Sequence, residues 1–458
     1  MAGRAVGPVM SVEKQWRVDL ENLEKQVDTA PTIVDDTIYV GCDDGVGSET
    51  GVLCAFESET GSERWRFETG DEISGAPAVV DGTVLVGSED GICYAVDAAD
   101  GTERWRYDFD SLVYEMPSPA VLDGTAYVGT HEHGTPHLCA LDVEGGSVRW
   151  RREMDGGIKT APTVIDGPAE RTVVVTVDPV MDDASLVALD AGDGSERWRY
   201  TTETPLETAP AVASREVPTD AADDHPAVFL LDRYQSAVTR AYDALADDDT
   251  SVPPSVEREQ AAGTGGSIYC FDAVTGEKRL QIGTPAPPTT TPTIADGTLY
   301  AGTEAGTLFA ADVGTGELQW EQQLGIESPT RVTAAPTVVG DQVVTATAQG
   351  GLFGLDTDGG DVAWMEPVGM IRGCAPIAVD GTVYIGGSNG VAAVDVPDCT
   401  GNSRGSRVRR ATLGHHDETA HRRTKPETDD TCLHCGTDLS AVESPSYCWN
   451  CGWELRDP

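Results

Sequence analysis

The stretch "DAADGTERWRY", residues 97–107, decides the fold because the chain writes it again and again. "DVEGGSVRWRR" begins at Asp142, "DAGDGSERWRY" at Asp190 and "DVGTGELQWEQ" at Asp312. Each copy is an acid, a Gly four residues on and a Trp four beyond. The pattern reads Glu57/Gly61/Trp65, Asp97/Gly101/Trp105, Asp142/Gly146/Trp150, Asp190/Gly194/Trp198, Asp312/Gly316/Trp320 and Asp356/Gly360/Trp364, while Leu280 takes the Trp position after Asp272/Gly276. Self-similarity at this period is the signature of a repeat architecture. The Gly supplies a turn, and the Trp offers a large apolar surface on an outer strand for packing between neighbouring units.

A second anchor lies upstream in each unit. Eight prolines, Pro31, Pro77, Pro119, Pro162, Pro210, Pro292, Pro336 and Pro376, each open a short β-branched run that often closes on Asp-Gly, as in "APAVVDGTVLVG" (residues 76–87). Alternating apolar residues around a two-residue turn of positive φ specify a β-hairpin. Four short strands per unit and eight units predict an all-β fold, an eight-bladed β-propeller of four-stranded blades. The eighth unit stops after "GVAAVDVPD" (390–398) with no Gly-x-x-x-Trp, whereas "EKQWRVDL" (13–20) carries Trp16 with no unit before it. The N-terminal strand is therefore expected to complete the last blade and so remove two exposed sheet edges.

These units resemble the PQQ-like (quinoprotein-type, BamB-like) propeller repeat family, whose repeats read much like "GxxYALDxxTGxxxW". The resemblance covers roughly residues 13–398 and speaks for the fold, since such propellers include dehydrogenases and assembly scaffolds. For a dehydrogenase it implies a calcium-bound quinone in the central funnel with an Asp base. Many periplasmic members also carry two adjacent cysteines, and this chain has no Cys-Cys. Neither PQQ nor Ca²⁺ is expected, and no catalytic residue stands out. Gly-x-Ser-x-Gly, a phosphate loop and His-Glu-x-x-His are all missing from the sequence.

The repeat is broken in three places that could carry function. Pro210 and Asp272 are 62 residues apart, against 19 or 20 in the shortest units. The insertion, about 214–264, includes Tyr234, Val238, Tyr242 and Leu245 at helical spacing and predicts a short amphipathic helix on the face that carries the binding site in the resembling family. Unit three replaces a short loop with "THEHGTPH" (130–137), making His131, His133 and His137, with Glu132, a secondary metal candidate. "CDDGVGSETG" (42–51) has oxygen donors without a calcium-loop spacing.

The 458-residue chain carries a net charge of −46, with only five lysines among its 31 basic residues. Acids alternate with apolar runs, so they describe a solvated surface and not a disordered block. Such a surface repels itself unless salt shortens the Debye length from about 10 Å at 0.1 M to about 3 Å at 1 M. This predicts a halophilic protein of a salt-accumulating cell. The start of the chain shows no twin arginine and no apolar core of signal-peptide length, and no run suits a membrane span. Cys54, Cys93, Cys139 and Cys270 lie in strand-like runs, as buried free thiols of a reducing compartment do. A cytoplasmic address and a monomeric propeller are expected.

Residues 399–430 lose apolar periodicity and read as a flexible basic linker with Arg404, Arg407, Arg409, Arg410, Arg422, Arg423 and Lys425. The segment 431–458 follows, with Cys432, Cys435, Cys448 and Cys451 in two Cys-x-x-Cys knuckles, each followed by Gly. Four thiolates at this spacing suit a closed structural Zn²⁺ site, and the segment resembles a short zinc ribbon. A non-enzymatic scaffold is the expected function, with propeller loops offered to a protein partner and the ribbon as a second contact. The alternatives are a PQQ- or small-ligand-binding propeller and a nucleic-acid contact through residues 404–458.

Overall fold

A computed structural model describes residues 13–18, 27, 29–43, 50–110, 113–132, 135–166, 171–179, 183–202, 206, 208–213, 226–232, 266–325, 330–371, 373–388, 390–396 and 402–403. The described strands form eight four-stranded antiparallel sheets and one two-stranded ribbon. Blade one is typical, with Thr32–Val34 innermost, then Thr37–Asp43, Gly51–Glu57 and, outermost, Glu63–Glu68. In every blade the inner strand starts at the residue after the anchor proline, which has no N–H to offer a preceding ladder. Five of the hairpins turn on an Asp at positive φ (Asp35, Asp81, Asp123, Asp296 and Asp380). The inner strands neighbour one another in sequence order, and that of blade eight lies beside that of blade one.

Blade eight is built from both ends of the chain. Ile377–Val379, Thr382–Gly387 and Gly390–Asp395 provide three strands, and Glu13–Val18 pairs antiparallel with the last, Trp16 opposite Ala393. The expected closure by the N-terminal strand is what the sheet order shows.

The repeated motif packs against its own next copy. Trp65 donates its indole N–H to Ala98 O at 3.0 Å, Trp105 to Val143 O at 2.8 Å, Trp150 to Ala191 O at 3.0 Å, Trp198 to Ala273 O at 2.9 Å and Trp320 to Thr357 O at 2.8 Å. Trp16 closes the ring by donating to Ser58 O of blade one at 3.0 Å. Each acceptor is a carbonyl in the acid-to-Gly turn of the following blade, so the turn and the Trp of one motif serve different interfaces. The motif Gly lies under the preceding blade's ring. A Cβ on Gly146, at φ +69°, would sit 2.7 Å from Trp105 Cδ2. Ala55, Ala95, Ala140, Ala188 and Ala310 stand opposite the tryptophans across the sheet. Where blade five substitutes Leu280, the opposite residue grows to Cys270, which conserves volume.

Trp364 packs in the seam between blades seven and eight as the expectation has it, clustering with Val383, Val394 and Val396, and differs from the other six tryptophans in its N–H partner. Trp364 is fully buried, its N–H reaches Gln342 Oε1 at 2.6 Å, and Gly354 replaces the opposite Ala, where a Cβ would lie 2.2 Å from the indole.

The anchor acids are structural as well. Asp97 accepts the N–H of Ala99 through Oδ1 (2.9 Å) and Arg104 through Oδ2 (2.8 Å), and Asp142 does the same with Glu144 and Arg149. The guanidinium partners, Arg104 and Arg149, and then the turn N–H groups hold both carboxyls below their ordinary values.

Candidate functional site at the loop-face mouth

Strand register identifies one position, described in seven of the blades, at which the residue type changes from blade to blade. The end of the second strand carries a small residue covered by the next loop. A Cβ at Gly87 would meet Met116 at 2.4 Å, at Gly129 Ile158 at 2.6 Å and at Gly302 Val332 at 2.4 Å. Two residues beyond this position stand Asp43, Glu89, His131, Asp178, Glu304, Ala348 and Ser388 in blades one to four and six to eight, by their alignment with the first residue of each inner strand. Glu89, Asp178, Glu304, Ala348 and Ser388 are fixed by N–H donation to Glu72, Gly157, Pro287, Arg331 and Met370 O, respectively. Side chains at this level surround the mouth on the face opposite the hairpin turns.

Blades two to four place a polar arc there. Glu89 is half-buried, and burial together with Glu72, Asp71 and Glu115 pushes its carboxyl up to about 7, so it exchanges its proton near neutrality. His131 lies against Tyr114, ring centroids 5.3 Å apart, on the short ribbon Val113–Glu115 with His131–Glu132. Gly157 makes room for the imidazole, since a Cβ there would lie 2.3 Å from His131 Cδ2. His131 Nδ1 is screened from solvent, 3.8 Å from Glu115 Oε2, and makes no hydrogen bond within the described residues. Burial and then Lys159 hold its pKa below the ordinary value, against the pull of Glu115 and Asp178. Lys159 Nζ bonds Asp178 Oδ2 at 2.7 Å. The arc thus holds a neutral imidazole, a paired lysine and an excess of carboxylates, which favours a guanidinium or ammonium group over an anion.

The candidates read from sequence are placed unevenly. His137 is not with His131 in this arc: its Nδ1 lies 3.2 Å from Arg151 Nη2 on the outer strand of blade three. His133 lies outside the described residues, as do Cys432, Cys435, Cys448, Cys451 and the inserted segments 214–225 and 233–264 with Tyr234, Val238, Tyr242 and Leu245. Among the described residues no group of three or more His, Cys, Asp and Glu is arranged to hold a metal ion. Cys54, Cys93, Cys139 and Cys270 are buried free thiols, and burial raises Cys93 and Cys270 to about 12, which makes them inert. Sequence reading passed over Glu89, Glu115, Lys159 and Asp178. For Glu89 the signal was its place after Gly-Ser at the second-strand end, matched by His131 and Glu304 after Gly-Thr, a position that varies while its neighbours repeat.

A family model described as outer membrane protein assembly factor BamB matches residues 10–131, 111–241 and 235–411, most of the chain. The chain belongs to this family. Its fold is similar to BamB from Moraxella catarrhalis (TM-score 0.58, 16% identity, 84% of this chain and 99% of that one). It is also similar to Sqt1 from Saccharomyces cerevisiae (TM-score 0.62, 13%, 85% and 100%). A third similar structure is quinohemoprotein alcohol dehydrogenase from Comamonas testosteroni (TM-score 0.59, 16%, 91% and 78%). At these identities the likeness is one of fold. No curated protein matches the sequence significantly. No described helix is long and apolar enough to cross a membrane.

Proposed function

We propose that this protein is a non-enzymatic, cytoplasmic, salt-adapted scaffold whose loop face binds a protein partner. The observation that carries the reading is the pair of exposed apolar side chains at that mouth. Tyr114 is 45% and Met370 55% exposed, on loops leading into blades three and eight. An aromatic and a methionine inside a carboxylate rim match the composition of protein interfaces, where such residues anchor and charges surround them. The family description, an assembly factor, is a further support.

In this reading Cys432, Cys435, Cys448 and Cys451 hold a structural zinc that folds the ribbon as a second contact module. Four thiolates close the coordination shell, and metal binding supplies the folding energy that so short a segment lacks. Affinity capture at molar salt with the native chain and with Tyr114→Glu/Met370→Glu tests the first contact. A partner retained by the native chain and lost by the variant is expected. Equal capture by both, or a bound chromophore after incubation with calcium and PQQ, would sink the scaffold reading.

A further inference from the structure

At the seam between blades seven and eight, two direct hydrogen bonds that the repeat writes elsewhere are redirected. On the outer side six tryptophans donate to a carbonyl of the next blade, whereas Trp364 donates to Gln342 of its own blade. On the inner side Thr32, Thr163 and Thr293 donate their hydroxyls to the next blade's proline carbonyl, at Pro77, Pro210 and Pro336. Thr337, at the same position of blade seven, donates instead to Ser403 Oγ at 2.9 Å.

Ser403 lies beyond the last repeat, on the inner edge of blade eight, and is 2% exposed. Its neighbour Asn402 accepts Asp380 N–H through Oδ1 at 3.0 Å. Ser403 N–H donates to Ala378 O at 2.7 Å, and Ser403 Oγ accepts Ala378 N–H at 2.6 Å. In an antiparallel hairpin, hydrogen-bonded pairs alternate with pairs whose backbone groups point outward. Val379 and Thr382 close this turn, so Ala378, opposite Val383, turns both its groups to the inner edge. Ser403 satisfies both and ties them to Thr337, so one residue carries the inner bond between the two blades.

We propose that Asn402 and Ser403 form a latch that holds the seam between blades seven and eight shut, and that releasing Ser403 lets this seam open while the others stay closed. Thr337 and Ala378 are fully buried. Losing the Ser403 hydroxyl leaves a buried hydroxyl donor and a buried N–H without their acceptor, which is the costly way to lose a hydrogen bond. On the loop side the seam keeps a direct bond, from the Thr333 hydroxyl to Ile371 O at 3.1 Å, so the opening pivots there. What it uncovers is the apolar cluster of Trp364, Val368, Cys374, Val383 and Val394. Blade eight is thus clasped at both edges by segments outside its own three strands, Glu13–Val18 on the outer edge and Asn402 with Ser403 on the inner. The latch acts whether or not the loop face binds a protein.

Buried cysteines report on the seams one by one. Cys374 packs between blades seven and eight, Cys54 between eight and one, Cys93 and Cys139 between two and three, and Cys270 between five and six. The full chain is treated with iodoacetamide at molar salt, and alkylation at each cysteine is followed by peptide mass. A buried thiol reacts only through opening of its seam, so its rate measures that opening. Ser403→Ala is expected to raise the rate at Cys374 at least about tenfold and to leave Cys54, Cys93, Cys139 and Cys270 unchanged. Thr337→Val, which keeps Ser403 on Ala378, should raise Cys374 alone by a smaller factor. Thr293→Val, the same loss at the seam between blades six and seven, should leave Cys374 at its native rate. Should Ser403→Ala misfold and expose every cysteine, the comparison of Thr337→Val with Thr293→Val decides the matter. An unchanged rate at Cys374 in Thr337→Val, a rise there shared by all five cysteines, or an equal rise in Thr293→Val would overturn the latch.

Discussion

Substituting Gly146 by alanine tests whether the motif's Gly is required by the Trp of the preceding blade or only by its own turn. The backbone contribution is common to every such Gly. A β-carbon at φ +69° costs about 1–2 kcal/mol. The contact contribution differs among sites and is set by distance. At Gly146 the Cβ would stand 2.7 Å from two atoms of Trp105, whose ring is held by its hydrogen bond to Val143 O. Overpacking of this kind costs about 1–3 kcal/mol, and displacing the indole N–H forfeits about 0.5–1.5 kcal/mol more. Two sites in the same chain serve as controls. Gly297, at φ +73°, has nothing within 4 Å, and Gly316, at φ +74°, faces Leu280 with a closest approach of 3.2 Å. The expected order of destabilisation is therefore Gly297→Ala, then Gly316→Ala, then Gly146→Ala, with about 1.5–4.5 kcal/mol separating first from last. Urea midpoints at fixed salt measure it, provided the slopes agree. Equal losses at Gly146 and Gly297 would show that the motif encodes a turn alone and that the inter-blade docking contributes nothing.

Deleting residues 1–20 should strip the outer strand from Gly390–Asp395 and convert a monomer into aggregates; a soluble monomer of native stability would refute the closure. Glu89, raised to about 7, favours its protonated form in the fold, so its contribution to stability is present below about pH 4 and lost as pH rises through 7. Glu89→Gln should accordingly gain on the native chain above pH 7, and a difference in melting temperature constant from pH 4 to 8 would contradict the assignment. Asp97 and Asp142 act in the opposite sense, stabilising above about pH 4 and losing that contribution as acid protonates them. Elemental analysis should find one zinc per chain, lost in Cys435→Ser without change in the melting of the blades; full zinc in a chain ending at Ser403 would place the metal elsewhere. Lowering KCl from about 3 M to about 0.1 M should depress the melting temperature as carboxylate repulsion is unscreened, and an unchanged value would remove the salt-adapted reading.

Much of this architecture was legible because each of its rules is local and repeated. Proline forbids the inner strand from starting earlier, Asp-Gly sets the hairpin, and the acid-Gly-Trp spacing puts a ring and its future seat in one motif. The N–H partner of Trp364 was not legible, because Gln342, which accepts it, lies 22 residues away on another strand. Ser403 gave no signal in "GNSRGS" for a similar reason. Its role arises from two unpaired backbone groups of Ala378, and those become visible only when the hairpin's hydrogen-bond phase is known. The fold is written in neighbours along the chain, whereas these two residues answer to partners more than 20 residues away.

The candidate site is a harder case, and the repeats themselves supply the means of finding it. Positions used for packing hardly change from blade to blade: Trp faces Ala, Gly lies under Trp, and where one partner changes, as at Leu280 with Cys270 or Trp364 with Gly354, the other changes to conserve volume. The position at the mouth obeys no such constraint. Asp43, Glu89, His131, Asp178, Glu304, Ala348 and Ser388 differ in charge, size and hydrogen-bonding capacity, although the same backbone bond to the adjoining loop holds five of them in place. A scaffold under purely structural demand would be free to fill such solvent-facing positions with the acids that cover the rest of its surface. Instead blades two to four combine a carboxyl that titrates near neutrality, an imidazole kept neutral by burial and a lysine locked to its own aspartate. Chemical diversity at one register position, set against near-identity at its neighbours, marks this mouth as the surface where the propeller's constancy ends, which is why the proposed partner contact is assigned to it.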